Sequence, residues 1–333
     1  MRVTQEFHYR LPNRVRGHRP GSHLGLTIGA GQEFVSHMNL YDRPDPRRLD
    51  LRASLRSLTG EWLVRVNRQR AGVSVYAVVD VSASMRFGAP PKLHVVGDFL
   101  ESLGVSAFRT GDALGMLAFD TRERQDLFVP ARLGRGVGSV MAANIRQAQG
   151  AESDGGVVGR GVGVGVVGRG VGAAGRGAGV GGRGVGVGGD GTGRRVEGRG
   201  SEGAHRGLEL AAARLAGREG LVFIVSDFHW PLERLAATLD VLVNALVVPL
   251  VVWDRAETEP PAANGFALVR DAETGAQRTL WLRPRLRTRW HEVVAERRAQ
   301  LDRIFASKSV RPVYLEGKFD AEVLSKYFLE GGV

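Results

Sequence analysis

The chain has 333 residues, of which 43% are hydrophobic and 24% charged, as expected for one large globular domain or two average ones. It contains no cysteine, which excludes disulfides, zinc–thiolate sites and thiol catalysis. The formal net charge is +11, but Arg is mixed with Asp and Glu along the chain, so we do not expect nucleic-acid binding.

No stretch of the sequence predicts membrane insertion. The first ten residues are polar and charged, unlike a signal peptide. The most apolar later run, residues 241–253, is shorter than a membrane-spanning helix and contains Asn244 and Pro249. We therefore expect a cytoplasmic protein.

Residues 1–70 show little periodicity and are predicted to form an N-terminal segment ahead of the main domain. Residues 14–25 are rich in Arg, Gly and Pro, which favours an irregular, exposed stretch. Residues 40–54 interleave Asp with Arg around two prolines and predict a charge-paired loop leading into a short helix. Residues 61–68 alternate apolar and polar side chains, which is typical of a half-buried strand.

The main domain, predicted over residues 71–330, begins with a βαβ unit. Residues 73–80 are almost continuously apolar, as in a strand buried on both faces of a parallel sheet. Residues 92–109 carry apolar side chains at helical spacing, and residues 113–119 form a second apolar strand. This order predicts a parallel sheet with a right-handed crossover, and residues 127–129 add a short strand.

Residues 150–200 form a low-complexity insertion in which nearly every second residue is Gly and most others are Val, Arg or Ala. We expect this insertion to be disordered, because it has high backbone entropy and no large side chains to bury. It contains no Gly-Lys-Ser or Gly-Lys-Thr, and no strand precedes it, so a phosphate-binding loop is not expected.

After the insertion, helices and strands alternate again. Helices are predicted over residues 204–218, 231–239, 289–305 and 320–328, and strands over residues 221–225, 241–253 and 311–315. Residues 266–270 and 277–282 predict a β-hairpin inserted into the domain.

Polar oxygens follow two of the apolar strands. Asp80, Ser82 and Ser84 end the first strand at alternate positions, and Asp227 follows residues 221–225. Open α/β sheets bind ligands outside the carboxyl ends of their strands. A donor set of carboxylates and hydroxyls, without thiolate or imidazole, suits Mg²⁺ or Mn²⁺.

This pattern resembles a von Willebrand factor A-like domain with a metal-ion-dependent adhesion site, which uses Asp-x-Ser-x-Ser, a Thr in a Gly-rich loop and a later Asp. The resemblance implies that Asp80, Ser82, Ser84 and Asp227 bind the metal. Ser201 takes the Thr position, with Thr192 as the alternative. The implied fold is α/β: a doubly wound, mostly parallel sheet with an N-terminal extension, the Gly-rich insertion and the hairpin.

Further motifs resemble the bacterial family called domain of unknown function 58. They are Gly31 with Glu33-Phe34, residues 45–54, Gly111-Asp112 with residues 117–119, and residues 271–275. Pro44 replaces the family's usual Gly before Asp45, and Leu51 replaces its usual Trp. We take Asp45, Arg48 and Asp50 as candidate partner-binding residues.

The resemblance implies a non-catalytic partner of MoxR-type AAA+ ATPases that acts in assembly, maturation or metal insertion of a client protein. Some relatives lie in methanol-oxidation gene clusters, where the client would be a dehydrogenase. A partner carboxylate would then complete the coordination of the bound Mg²⁺.

Two alternatives stay open from the sequence. A metal ion at the strand ends could serve a hydrolase, although the chain has no Gly-x-Ser-x-Gly elbow and no His pair with ligand spacing. We interpret His205 and His229 as loop or packing residues. In the other alternative the domain binds no metal, and Asp80 and Asp227 merely cap helices of a docking scaffold.

The composition of the Gly-rich insertion leads to a prediction about stability. Deletion of residues 152–199 should leave the fold intact, because the segment has almost nothing to bury. Thermal unfolding of the deletion variant and the full chain would test this, and a large loss of stability would contradict it.

Overall fold

The computed structural model describes residues 5–12, 15–16, 19–29, 31–151, 165–166, 201–262, 264–270 and 277–331. Its strands are β1 (Pro20–Gly29), β2 (Glu33–Asn39), β3 (Leu63–Ala71), β4 (Ser74–Asp80), β5 (Ala113–Phe119), β6 (Glu123–Arg132), β7 (Gly165–Val166), β8 (Gly220–Ser226), β9 (Ala245–Trp253), β10 (Gly265–Arg270), β11 (Gln277–Leu282) and β12 (Val313–Glu316). Its α-helices are α1 (Leu51–Arg56), α2 (Lys92–Thr110), α3 (Val137–Ala151), α4 (Ser201–Leu215), α5 (Leu235–Val241), α6 (Arg255–Thr258), α7 (Pro284–Ser307) and α8 (Ala321–Leu329).

A six-stranded sheet in the order β12-β9-β8-β4-β5-β6 forms the centre of the fold. Strand β6 is antiparallel to β5, and all other neighbouring pairs are parallel. The chain leaves β4 toward β5 on one side and later fills the other side with β8, β9 and β12. The predicted α/β doubly wound sheet is confirmed, with its topological switch point between β4 and β8.

Helices cover both faces of this sheet. Val75, Ala77 and Val79 of β4 belong to one core, together with apolar residues of α2, α3 and α8. Tyr76 and Val78 point the opposite way into a second core, formed with α4, α5 and α7. The continuous apolar pattern of β4 is explained by this burial on both sides.

Most predicted elements of the main domain are present, with shifted ends. The predicted strand over residues 241–253 begins only at Ala245, because α5 extends to Val241. Leu235, Leu239 and Leu242 are buried at helical spacing, so the apolar run first continues the helix and then becomes a strand. Helix α3 was not predicted, although Val137, Met141 and Ile145 are buried at helical spacing.

The N-terminal residues contain more structure than the sequence predicted. Strands β1, β3 and β2 form a separate antiparallel sheet in that order. The expectation of an irregular stretch over residues 14–25 is therefore wrong from Pro20 onward. Its glycines serve close packing: a Cβ on Gly21 would lie 2.3 Å from the Gly72 nitrogen, and one on Gly25 would lie 2.3 Å from the Gln69 oxygen.

The two predicted insertions are described only in part. The pairing of β10 with β11 confirms the two arms of the hairpin, whose connection lies outside the described residues. Most of the Gly-rich insertion also lies outside them. Its first residues end α3, and Gly165–Val166 pair with β10.

A buried polar cluster joins the N-terminal sheet to the main domain. Asp112, which precedes β5, accepts hydrogen bonds on one carboxylate oxygen from Tyr9 Oη at 2.5 Å and Thr110 Oγ1 at 2.6 Å. His23 Nε2 of β1 lies 2.8 Å from the same oxygen, and the Val73 amide donates to the other at 2.8 Å. Burial opposes ionisation, but these partners outweigh it and lower the pKa of Asp112.

We predict that Asp112→Asn destabilises the fold by about 3 kcal/mol, because it replaces the buried carboxylate that accepts from Tyr9, Thr110 and the Val73 amide by an amide, whose NH₂ group cannot accept. A folded-state pKa below the unfolded value stabilises the protein above that unfolded value, about 3.9. The difference between wild type and variant should therefore shrink as the pH falls below about 4. Urea unfolding at several pH values measures this.

The matched control is Asp126→Asn, whose exposed carboxylate pairs with Arg124 and which should cost less than about 1 kcal/mol. Equal losses in the two variants would contradict a special role for Asp112.

Candidate metal centre

Two buried aspartates meet at the carboxyl edge of the central sheet. Strands β4 and β8 are parallel neighbours, with Val79 opposite Val225. Asp80 is the last residue of β4, and Asp227 follows Ser226 at the end of β8. Both aspartates have 0% exposed surface. The topology thus places two carboxylates side by side at the switch point of the sheet.

The turn after β4 adds two hydroxyls to this edge. The Ser82 amide donates to Asp80 Oδ1 at 2.9 Å, which sets the direction in which the chain leaves the strand. The hydroxyl oxygens of Ser82 and Ser84 lie 3.3 Å apart, and the Ser84 side chain hydrogen-bonds Asp227. Asp80, Ser82, Ser84 and Asp227 are therefore brought together, as the spacing predicted.

Asp80 is held only by neutral donors. Ser226 Oγ donates to Asp80 Oδ2 at 2.6 Å, and Trp230 Nε1 donates to the same oxygen at 3.3 Å. Within the described residues no ion pair to Asp80 occurs. Burial, and next the negative charge of Asp227, raise the pKa of Asp80 to about 6.

Asp227 has a different environment because it is paired with a buried ammonium. Lys92 Nζ lies 2.6 Å from Asp227 Oδ2 and 2.8 Å from Glu257 Oε1, and the Lys92 side chain is 1% exposed. Burial alone would raise the pKa of Asp227, but the positive charges of Lys92 and His229 outweigh it and lower that pKa. The two aspartates of this edge thus differ in charge compensation.

The donor set fits Mg²⁺ or Mn²⁺. It consists of carboxylate and hydroxyl oxygens, and one carboxylate, that of Asp80, is buried without a positive partner in the described part of the chain. A divalent cation would supply the missing charge. Asp227, His229 and Glu257 also cluster within 4.8 Å, but there Lys92 already bridges the two carboxylates.

The fifth predicted ligand is described only by its backbone. Ser201 is the first residue of α4, and Thr192 lies outside the described residues. Helix α4 does pass over this edge of the sheet, since a Cβ on Gly207 would lie 2.2 Å from the Asp120 carbonyl oxygen. Which residue completes the donor set stays a prediction.

The candidate partner-binding residues lie elsewhere, beside α1. Asp45 accepts a hydrogen bond from the Arg47 amide and pairs with Arg48 at 3.2 Å. Asp50 caps α1 through the Ala53 amide and pairs with Arg65 at 2.7 Å. The carboxylates of Asp45 and Asp50 therefore hold local structure, and their role in partner binding stays a prediction.

Sequence reasoning missed four residues of the site: Ser226, Trp230, Lys92 and Glu257. Only Ser226 carried a signal, since it stands beside Asp227 after an apolar strand. His229, interpreted as a packing residue, stacks on the Trp253 ring at 6.2 Å with an interplanar angle of 5°. Its Nε2 lies 3.6 Å from Glu257 Oε1.

Comparison with known proteins places the chain among uncharacterised relatives. Residues 42–160 match the family described as "Protein of unknown function DUF58". A protein of Paracoccus denitrificans, named "Uncharacterized protein in moxR 3'region", is 33% identical over 93 residues, which cover 28% of this chain and 89% of the relative. Neither description states a catalytic activity.

Two solved structures show a weaker likeness. They are BatB from Bacteroides thetaiotaomicron and an aerotolerance-related membrane protein from Bacteroides fragilis with multiple mutations to serines. Each is 12% identical with a TM-score of 0.35, and the match covers 78% of this chain and 98% of the other. This likeness carries no argument about function.

The prediction of a cytoplasmic location is contradicted by this comparison, in which the structure from Bacteroides fragilis is described as a membrane protein. Among the described residues, no helix combines the length and the apolar composition needed to cross a membrane.

We predict that Lys92→Met destabilises the fold by about 3–5 kcal/mol, because it leaves two carboxylates of the site without their shared ammonium. Urea unfolding measures the loss. The control is Lys308→Met: Lys308 binds Asp240, whose side chain is 62% exposed, so the cost should stay below about 1 kcal/mol. A loss in Lys92→Met no larger than in the control would contradict the prediction.

Proposed function

The chain belongs to the DUF58 family, and from that premise we propose that it is a non-catalytic, Mg²⁺-dependent protein-binding adaptor. In this proposal it works with a MoxR-type AAA+ ATPase in the assembly, maturation or metal insertion of a client protein. Methanol dehydrogenase is one candidate for the client.

The observation that carries the proposal is the state of Asp80. Its carboxylate is fully buried, is bonded only by neutral donors among the described residues and has its pKa raised to about 6. Burying an ionisable group without a counter-charge is unfavourable, and it is commonly retained where a cation or ligand compensates it. Ser82, Ser84 and Asp227 provide further oxygens next to Asp80, as a magnesium site requires.

Each residue of the site has a definite role in this proposal. Ser82, Ser84 and the two aspartates would hold the ion, while Ser226 and Trp230 orient the Asp80 carboxylate through its Oδ2 atom. Lys92 holds Asp227 ionised and turned toward the edge. A bound Mg²⁺ supplies positive charge and an open coordination position, which a partner's carboxylate can fill.

The partnership with an ATPase is supported by the relative from Paracoccus denitrificans, whose name places it in the moxR 3' region. The non-catalytic part of the proposal rests on the resemblance to MoxR-associated proteins. His229, which lies 3.6 Å from Glu257 and stacks on Trp253, is the imidazole to watch in substrate assays.

We predict that the full chain binds Mg²⁺ or Mn²⁺ and that Asp80→Ala weakens this binding at least about 10-fold, because the buried carboxylate is lost from the donor set. Isothermal titration measures the affinity. Thermal unfolding provides a second readout, since a ligand that binds only the folded state raises the Tm.

Asp120→Ala is the matched control, because Asp120 follows the neighbouring strand β5 but bonds Arg124 and the Arg122 amide. It should bind metal like the wild type. Binding by none of the proteins, or by all of them equally, would refute the metal centre. If the wild-type chain hydrolyses phosphatase or esterase substrates and Asp80→Ala does not, the protein is an enzyme and the proposed adaptor function is wrong.

A further inference from the structure

Helix α1 turns its apolar side chains toward solvent. Leu51 and Leu55 are one helical turn apart and are 56% and 84% exposed, while Leu58, just beyond the helix, is fully exposed. Trp62, which leads into β3, is 47% exposed. We call Leu51, Leu55, Leu58 and Trp62 the α1 surface. A single exposed Leu needs no explanation, but four large apolar residues exposed between positions 51 and 62 point to an interaction site.

The buried side of α1 is polar, and its hydrogen bonds fix which face of the helix points toward β3. Ser54 is the buried residue of this helix. Its hydroxyl donates to the Asp50 carbonyl oxygen at 2.8 Å and accepts from the Leu63 amide at 2.8 Å. The Ala53 amide and Arg65 bind the Asp50 carboxylate and lower its pKa. These bonds hold the apolar face outward, so little ordering is needed when a partner binds.

Unpaired positive charge surrounds the α1 surface. Arg47, Arg52 and Arg56 are exposed, and none of them forms an ion pair with any residue that the structure describes. Residues 1–71 contain 13 Arg and no Lys against 6 acidic residues, so most of the net charge of +11 lies in this part of the chain. A surface of this kind complements an apolar groove with a carboxylate rim.

The N-terminal sheet, which carries α1, and the candidate metal centre lie at opposite edges of the central sheet. Strand β3 runs into β4, and a Cβ on Gly72 between them would lie 2.3 Å from the carbonyl oxygen of Gly111, just before β5. The N-terminal sheet therefore joins the amino edge, whereas Asp80 and Asp227 stand at the carboxyl edge. Helix α1 binds Leu63, at the end of β3 remote from this junction. The α1 surface thus belongs to the N-terminal sheet region, whereas the candidate metal centre belongs to the central sheet.

We propose that the α1 surface is the docking site for the MoxR-type ATPase, through an apolar groove with an acidic rim on that protein, and that this contact needs no metal. The inference rests on the proposed function and assigns one of its partners to a surface. The family match over residues 42–160 includes the whole α1 surface, whereas Asp227 lies outside it. A partner common to the family therefore fits α1 better than a site completed by Asp227.

The test uses the full chain and a purified MoxR-type ATPase from the same organism. Two variants change the surface: Leu55→Ser with Leu58→Ser, and Arg52→Glu with Arg56→Glu. We expect each to weaken binding about 10–100-fold. The first variant removes apolar area that the partner would bury, and the second replaces Arg, a frequent hot-spot residue, by an acidic residue. Added salt should weaken the wild-type complex more than the Arg variant's complex. Asp80→Ala should bind the ATPase like the wild type.

The matched control changes a similar group at the end of β6, through Arg132→Glu, Leu133→Ser and Arg135→Glu; Leu133 is 53% exposed. It should bind normally. Thermal unfolding of every variant checks that the fold is kept.

The possible outcomes separate this inference from the proposed function. If the α1 variants bind normally while Asp80→Ala does not, the inference is overturned and the metal-dependent adaptor stands. If the wild-type chain does not bind the ATPase, both the α1 docking site and the proposed adaptor function are wrong. Sedimentation that shows a dimer dissociated by the α1 variants, or binding to anionic vesicles or nucleic acid lost in them, would assign the surface to another occupant and overturn the inference.

Discussion

The compensation of buried negative charge is the constraint that shapes the functional edge of this fold. Parallel pairing of β4 and β8 brings Asp80 and Asp227 together in a fully buried position. The protein compensates Asp227 with the ammonium of Lys92, supplied by the first residue of α2 and shared with Glu257 after β9. From the residues that the structure describes, Asp80 receives only neutral donors. This asymmetry leaves one buried carboxylate without a positive partner among the described residues, which is the physical basis for the proposed metal centre.

A second constraint acts at the opposite edge, where the N-terminal sheet joins the main domain. Asp112 binds side chains from the N-terminal strand region, including Tyr9 and His23, and the close approach of Gly21 to Gly72 leaves no room for a side chain. The N-terminal sheet is therefore tied to the central sheet by buried hydrogen bonds. Through this attachment the N-terminal sheet, with α1 at the far end of β3, joins the amino edge of the main domain.

Local sequence patterns predicted the central sheet well and the N-terminal sheet badly. Strand β5 was predicted over its full length, because a short, wholly apolar run between polar turns has few alternatives. Strand β1 was missed because Gly21 and Gly25 suggest an irregular loop, although they serve close packing against β3 and Gly72. Helix α3 was not predicted, although its buried residues have helical spacing. Tertiary packing thus hides β1 from the sequence pattern, whereas the pattern of α3 is local.

By itself, the sequence determined the alternation of strands and helices, the parallel sheet, and the oxygen donors Asp80, Ser82, Ser84 and Asp227 at the strand ends, because these follow from periodicity and topology. Only the tertiary structure decided how those donors are compensated. Lys92 reaches Asp227 across 135 residues and Glu257 across 165, and Trp230 reaches Asp80 across 150. It also decided that the apolar side of α1 faces outward. Burial and charge pairing depend on neighbours in space, and local spacing along the chain does not record them.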